Sequence, residues 1–140
     1  MWGGDPARSM AAELGIGDAV LTPGPAEDAR PLYAAADVLL SPSRGEGALP
    51  LTVLEALAGG LRVVVSDIPG HVIPGAELTN LVVAPLDPDA LAAATGELLE
   101  RAPDVVERDA LASRAWLERE RGLQPWAQRV VDLYEELVSA

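Results

Sequence analysis

The chain predicts an α/β fold in which a mostly parallel sheet of about four strands lies between layers of helices. Three observations carry that expectation. Four short apolar runs, Ala19-Val20-Leu21-Thr22, Val38-Leu39-Leu40-Ser41, Arg62-Val63-Val64-Val65-Ser66 and Leu81-Val82-Val83, are each too short for a helix. None alternates cleanly between apolar and polar residues, which marks strands covered on both faces, as in a parallel sheet. Helical segments separate the runs, and strands alternating with helices build crossover units.

The helices follow from their punctuation. Asp5 before Pro6 is an N-cap with proline at the first helical position, and Gly15 stops that helix near Leu14. Arg30-Pro31 opens a second helix through Ala35. Pro50 opens a third, which Gly59-Gly60 ends. Asp87-Pro88 opens a fourth that runs to about Arg101, with Leu91, Ala94, Leu98 and Leu99 near one face. Pro103 starts a polar helix to about Arg121. Pro125 opens the last, where Val130, Leu133, Tyr134 and Leu137 line one side. The stretch from Thr22 to Pro31 is a proline-rich loop. No repeat or long linker divides the chain, so residues 1–140 are expected as a single domain on which the helices of 103–140 pack back.

Composition narrows the function. At 140 residues and 49% hydrophobic, the chain can bury one real core. A net charge of -12 argues against nucleic acid and against an anionic membrane surface, both of which require a basic face. All ten basic residues are arginine, which excludes Schiff-base chemistry and a phosphate-loop lysine. There is no cysteine, hence no disulfide, thiolate metal site or cysteine nucleophile. No apolar run is long enough to span a membrane, and the amino terminus lacks the pattern of a signal peptide, so a cytoplasmic protein is expected.

The segment Ser41 to Asp67, SPSRGEGALPLTVLEALAGGLRVVVSD, holds the candidate chemistry. The strand Val38 to Ser41 should end at the carboxyl edge of the sheet, where open α/β folds bind ligands. Gly45 and Gly47 let a ligand approach the backbone. The helix after Pro50 points its positive end at the loop, an interaction with an anion worth about 0.3–1 kcal/mol at an exposed site. Glu46 lies ahead of that helix. Glu55 lies on its second turn, about 7–8 Å along the axis at about 1.5 Å per residue. A carboxylate there accepts from vicinal hydroxyls, and the two acids suit a ligand carrying both phosphate and sugar. A ligand-free explanation stands beside this one: glycine loops before helices are common, and an acid near a helix start suits the dipole.

The motif order closely resembles the carboxyl-terminal domain of glycosyltransferase family 4, the glycosyl transferases group 1 enzymes of GT-B architecture. The matching stretches are GGDPARSMAAELGI, VLTPGPAEDARPLYAAADVLLSPS, EGALPLTVLEALAGG, VVVSDIPG, LVVAPLDPDALAAA and QPWAQRVVDLY, which cover nearly the whole chain in family order. The resemblance implies a Rossmann-like three-layer αβα domain, here a partial GT-B carboxyl-terminal domain. It implies a retaining, metal-independent transferase that takes a nucleotide-sugar donor and needs no cofactor, of the kind that builds polysaccharides or glycolipids. Carried onto this sequence, it assigns Glu46 to the donor sugar as the catalytic residue and Glu55 to the ribose hydroxyls. Backbone amides at Gly47, Ala48 and Leu49 approach sugar and pyrophosphate, with Ser43 and Arg44 beside the diphosphate. Pro23 and Gly24 lie where the family holds the base.

The sequence departs from the family in two ways. Glu46 and Glu55 form E-x8-E, one residue longer than the family's E-x7-E, and alignment on Pro50 places the extra residue near Ala48. The first strands of the family's domain are missing, with the arginine and lysine that grip the diphosphate, and so is the acceptor domain. An amino-terminally truncated donor half is therefore expected, with a missing amino-terminal domain or a second copy of the chain as partner. The run Ala19 to Thr22 must pair with Val38 to Ser41, pair with another chain, or stand as an open edge. Two rivals remain: a degenerate, non-catalytic interaction module of the same fold, and a sugar-nucleotide epimerase of GT-B type. His71 is expected on the surface or behind the ligand contacts, and Trp126 is expected in the core.

Overall fold

The computed structural model describes residues 6–73 and 78–139. Asp5, the expected cap of the first helix, lies outside them. The chain divides into two compact units between Arg30 and Pro31.

In the first unit, α1 spans Pro6–Glu13 and ends at Gly15, whose φ of 72° is the left-handed conformation that glycine adopts freely. A single 3-10 turn, Gly17–Ala19, follows. The expected strand Ala19 to Thr22 does not form: Val20 leaves the turn in extended conformation, and Leu21 is 89% exposed. A strand needs a ladder partner for its backbone groups, and the described residues give this segment none.

The second unit holds the sheet. β1 is Val38–Ser41, β2 is Arg62–Ser66 and β3 is Leu81–Ala84. Both pairs are parallel and the order is β1-β2-β3, so the described sheet has three strands and not four. The helices are α2 (Arg30–Ala35), α3 (Leu51–Gly59), α4 (Pro88–Leu99), α5 (Pro103–Arg121) and α6 (Leu123–Ser139). The last begins two residues ahead of the expected start at Pro125.

Three layers follow from the strand period of two. Val63 and Val65 turn to one face and pack with Val53, Ala56, Leu57 and Leu61 against α3. Val64 turns to the other and packs with Ala84, Leu91, Ala94 and Leu98 against α4. All three β2 valines are fully buried, as a central parallel strand requires. Asp87 caps α4 through bonds accepted from the amides of Asp89 and Ala90, each 3.0 Å.

α5 lies on α3 and is pinned there by polar contacts. Arg114 donates to the carbonyls of Ala58 (3.0 Å) and Gly59 (2.8 Å), satisfying the open end of α3. Buried Asn80 donates to the Leu61 carbonyl at 2.9 Å and accepts from Ser113 of α5. Trp116 of α5 is buried. α6 packs on α5 but buries none of its own residues: Trp126 is 56% exposed, contrary to the core position expected for it. Its partner surface ends with α5, and a single helix covers only one side.

Candidate functional site

Parallel pairing places the carboxyl ends of β1 and β2 side by side, with Ser41 level with Val65 and Ser66 level with Ala84. The loops that leave these ends, residues 42–50 and 67–73, therefore start from one edge. This is the edge at which open α/β sheets receive ligands.

Loop 42–50 is anchored at both ends and open in the middle. Leu49 packs into the α3-side core, while Gly45, Glu46, Gly47 and Ala48 are exposed. Ser43 is half-buried, and its hydroxyl donates to Glu46 Oε1 at 2.7 Å. Arg44 is exposed in the same loop. Pro50 precedes α3 with extended backbone (ψ 141°) and supplies no side-chain cap. Its carbonyl takes the amides of Val53 and Leu54, so the first two helical amides, Leu51 and Thr52, are left pointing into the loop region. That is the arrangement which attracts an anion.

Glu55 is exposed on α3, just over one turn from the helix start, and accepts from the Tyr33 hydroxyl at 2.8 Å through Oε2. Desolvation raises the Tyr33 phenol above its ordinary value, and the hydrogen bond to Glu55 and its negative charge push in the same direction. Ser43, Arg44, Glu46, Gly47, Ala48, Leu49 and Glu55 thus all lie in the connection from β1 or on the helix it opens. Pro23 and Gly24 belong to the first unit, where both are exposed and Gly24 has φ 79°.

Sequence reasoning missed three residues that shape this edge. Tyr33 is 22 positions from the acid it contacts, beyond any local pattern. Ser66 is fully buried at the end of β2, and its hydroxyl donates to the Ser43 carbonyl. A polar residue closing an apolar central strand was the available signal. Gly70 approaches Glu46 so closely that a Cβ on it would stand 2.5 Å from the Glu46 carbonyl oxygen. His71, expected on the surface or behind the ligand contacts, is 0% exposed and lies behind the loop. It lines a cavity of about 230 Å³ with Val72, Ile73, Leu78, Leu81 and Val83.

A parallel sheet covered by helices on both faces, with one acid in the connection leaving its carboxyl edge and a second on the helix that follows, defines an open α/β domain. The chain belongs to the family of glycosyl transferases group 1, whose model matches residues 1–101. It is 39% identical over 134 residues to a D-inositol 3-phosphate glycosyltransferase of Corynebacterium urealyticum, covering 93% of this chain and 31% of that protein. It is 35% identical over 95 residues to an exopolysaccharide phosphotransferase of Streptomyces coelicolor, covering 66% of this chain and 10% of that one. Among solved structures, sucrose-phosphate synthase from Thermosynechococcus elongatus superposes with a TM-score of 0.78 at 27% identity, over 98% of this chain and 37% of that one. The chain therefore spans about a third, or less, of the length of these relatives. No helix among the described residues is long and apolar enough to cross a membrane.

Proposed function

We propose that the chain carries the donor-binding half of a retaining glycosyltransferase and holds a nucleotide-sugar at the carboxyl edge of β1. The observation that carries this reading is the exposure of Glu46 and Glu55 on either side of the uncapped start of α3. The diphosphate sits at the open amides of Leu51 and Thr52 and along the backbone of Gly47, Ala48 and Leu49, with Ser43 and Arg44 beside it. Glu55 accepts from the ribose hydroxyls through the oxygen that Tyr33 leaves free. Glu46 faces the donor sugar. As the leaving diphosphate gains charge, the amides and the positive helix end stabilise it without a metal ion. A cytoplasmic site of action suits a soluble sugar nucleotide.

Isothermal titration of the folded chain with UDP, GDP and ADP tests this reading. Heat with one of them at millimolar concentration or below supports it, and silence with all three defeats it.

One observation favours a second reading, an interaction module that complements another polypeptide. Trp126, Leu133, Tyr134 and Leu137 of α6 are all more than half exposed. Light scattering separates the two: a monomer with nucleotide affinity favours the donor half, and an oligomer without affinity favours the module.

A further inference from the structure

The exposed acid Glu46 is tied to the buried end of β2 by a directed series of hydrogen bonds. His71 Nδ1 stands 2.8 Å from the Ser66 carbonyl oxygen and 3.3 Å from Ser66 Oγ. A carbonyl only accepts, so Nδ1 carries the proton and donates. The Ser66 hydroxyl keeps its own proton for the Ser43 carbonyl. The Ser43 hydroxyl donates in turn to Glu46 Oε1. Ser66 and His71 are both fully buried, which fixes their rotamers, whereas Ser43 is half-buried and Glu46 exposed. Order therefore passes outward from the core to the loop.

A second contact acts on the same residue. The turn after β2 brings Gly70 against the Glu46 backbone, where a Cβ would lie 2.5 Å from the carbonyl oxygen and 2.7 Å from the Glu46 Cβ. Hydrogen bonding holds the side chain while this close approach holds the backbone.

We propose that Ser66, His71 and Gly70 are positioning residues that aim the Glu46 carboxylate at the donor sugar. The inference rests on the assignment of Glu46 to the sugar made above. Among the described residues the series engages only Oε1, which leaves Oε2 for a sugar hydroxyl. A glutamate in an irregular loop otherwise samples many rotamers, so preorganisation raises affinity for the sugar portion of the ligand and leaves the nucleotide portion unaffected.

Two measurements on the full chain test this. The first is amide hydrogen exchange in the free protein, comparing the parent with Ser66→Ala, Gly70→Ala and the milder Ser43→Ala. Exchange in residues 43–49 should quicken about tenfold or more in Ser66→Ala and Gly70→Ala, with β2 and β3 amides unchanged. Unchanged loop exchange in both overturns the proposal. The second is titration with a nucleoside diphosphate and with its sugar conjugate. The ratio of the two affinities should fall several-fold in Ser66→Ala, as in Glu46→Gln, while diphosphate affinity stays constant. Restoration of the ratio by Ser66→Thr supports the hydroxyl's role. A parallel loss of both affinities marks a merely structural effect and overturns the proposal. If the parent binds neither ligand, the donor assignment fails, and loop exchange alone still decides whether these residues hold Glu46.

Discussion

The Tyr33 hydroxyl donates to Glu55 Oε2 at 2.8 Å, joining α2 to α3 across 22 residues. The bond turns a solvent-exposed helix glutamate into an oriented acceptor. Tyr33 itself is steadied by the α3-side core, against which its ring packs. Oε2 is engaged while the side chain as a whole is exposed, so a diol can reach the carboxylate.

Removing each partner should separate aim from charge. Tyr33→Phe keeps the ring in place and loses one partly exposed hydrogen bond, so stability should fall by about 0.5–1.5 kcal/mol. Nucleotide affinity should fall only a few-fold. Glu55→Ala removes the acceptor and should weaken binding at least tenfold, about 1.4 kcal/mol. Parallel chemical denaturation and calorimetric titration of both variants check the pair.

The raised phenol of Tyr33 gives a pH dependence with a definite sign. The folded state holds the phenolic proton more tightly than the unfolded chain does. Its contribution to stability is thus complete below the ordinary tyrosine range, near pH 10, and is lost as pH rises through the folded value. Ultraviolet titration should show one tyrosine ionising late. In Glu55→Ala that transition should move part of the way back, because the charge and hydrogen bond are gone while the desolvation by the core, the largest cause, remains.

Gly60 should tolerate no side chain. Its φ is 84°, and a Cβ would lie 2.8 Å from an Arg114 nitrogen and 3.0 Å from the Ala110 Cβ. Gly60→Ala should cost about 1–3 kcal/mol from backbone conformation alone, with the displacement of Arg114 from the α3 carbonyls in addition. A urea midpoint equal to that of the parent would show that the α3–α5 junction is not built this way.

α6 predicts the opposite. Leu133 and Tyr134 are 55% and 64% exposed, so Leu133→Gln and Tyr134→Gln should each change stability of the chain by no more than about 0.5 kcal/mol. A larger loss in the thermal midpoint would mean that α6 is covered in solution.

The elements written in local chemistry were legible in the sequence. Proline openings and glycine stops marked α1 to α5 to within two or three residues, because caps and left-handed stops are decided by neighbouring residues. The valines of β2 declared a strand buried on both faces. Ala19 to Thr22 carries the same composition as a strand, yet forms none, because a ladder is made by a partner and not by the segment. The loop that carries Glu46 and the start at Pro50 of the helix that carries Glu55 were legible too. Tyr33, Ser66 and Gly70 were not, since each acts across the fold at a sequence distance no periodicity registers. Trp126 was expected inside and stands 56% exposed, because burial depends on what faces the helix.

The central claim, that the connection from β1 into α3 receives the sugar nucleotide, is tested most directly by amide chemical-shift mapping of the isotopically labelled chain during titration with nucleoside diphosphates and their sugar conjugates. The account predicts saturable shifts at residues 45–52 and at Glu55 with at least one diphosphate, extending at Glu46 and Gly47 when the sugar is attached. Saturable shifts confined to other segments, or none at millimolar ligand, would contradict it.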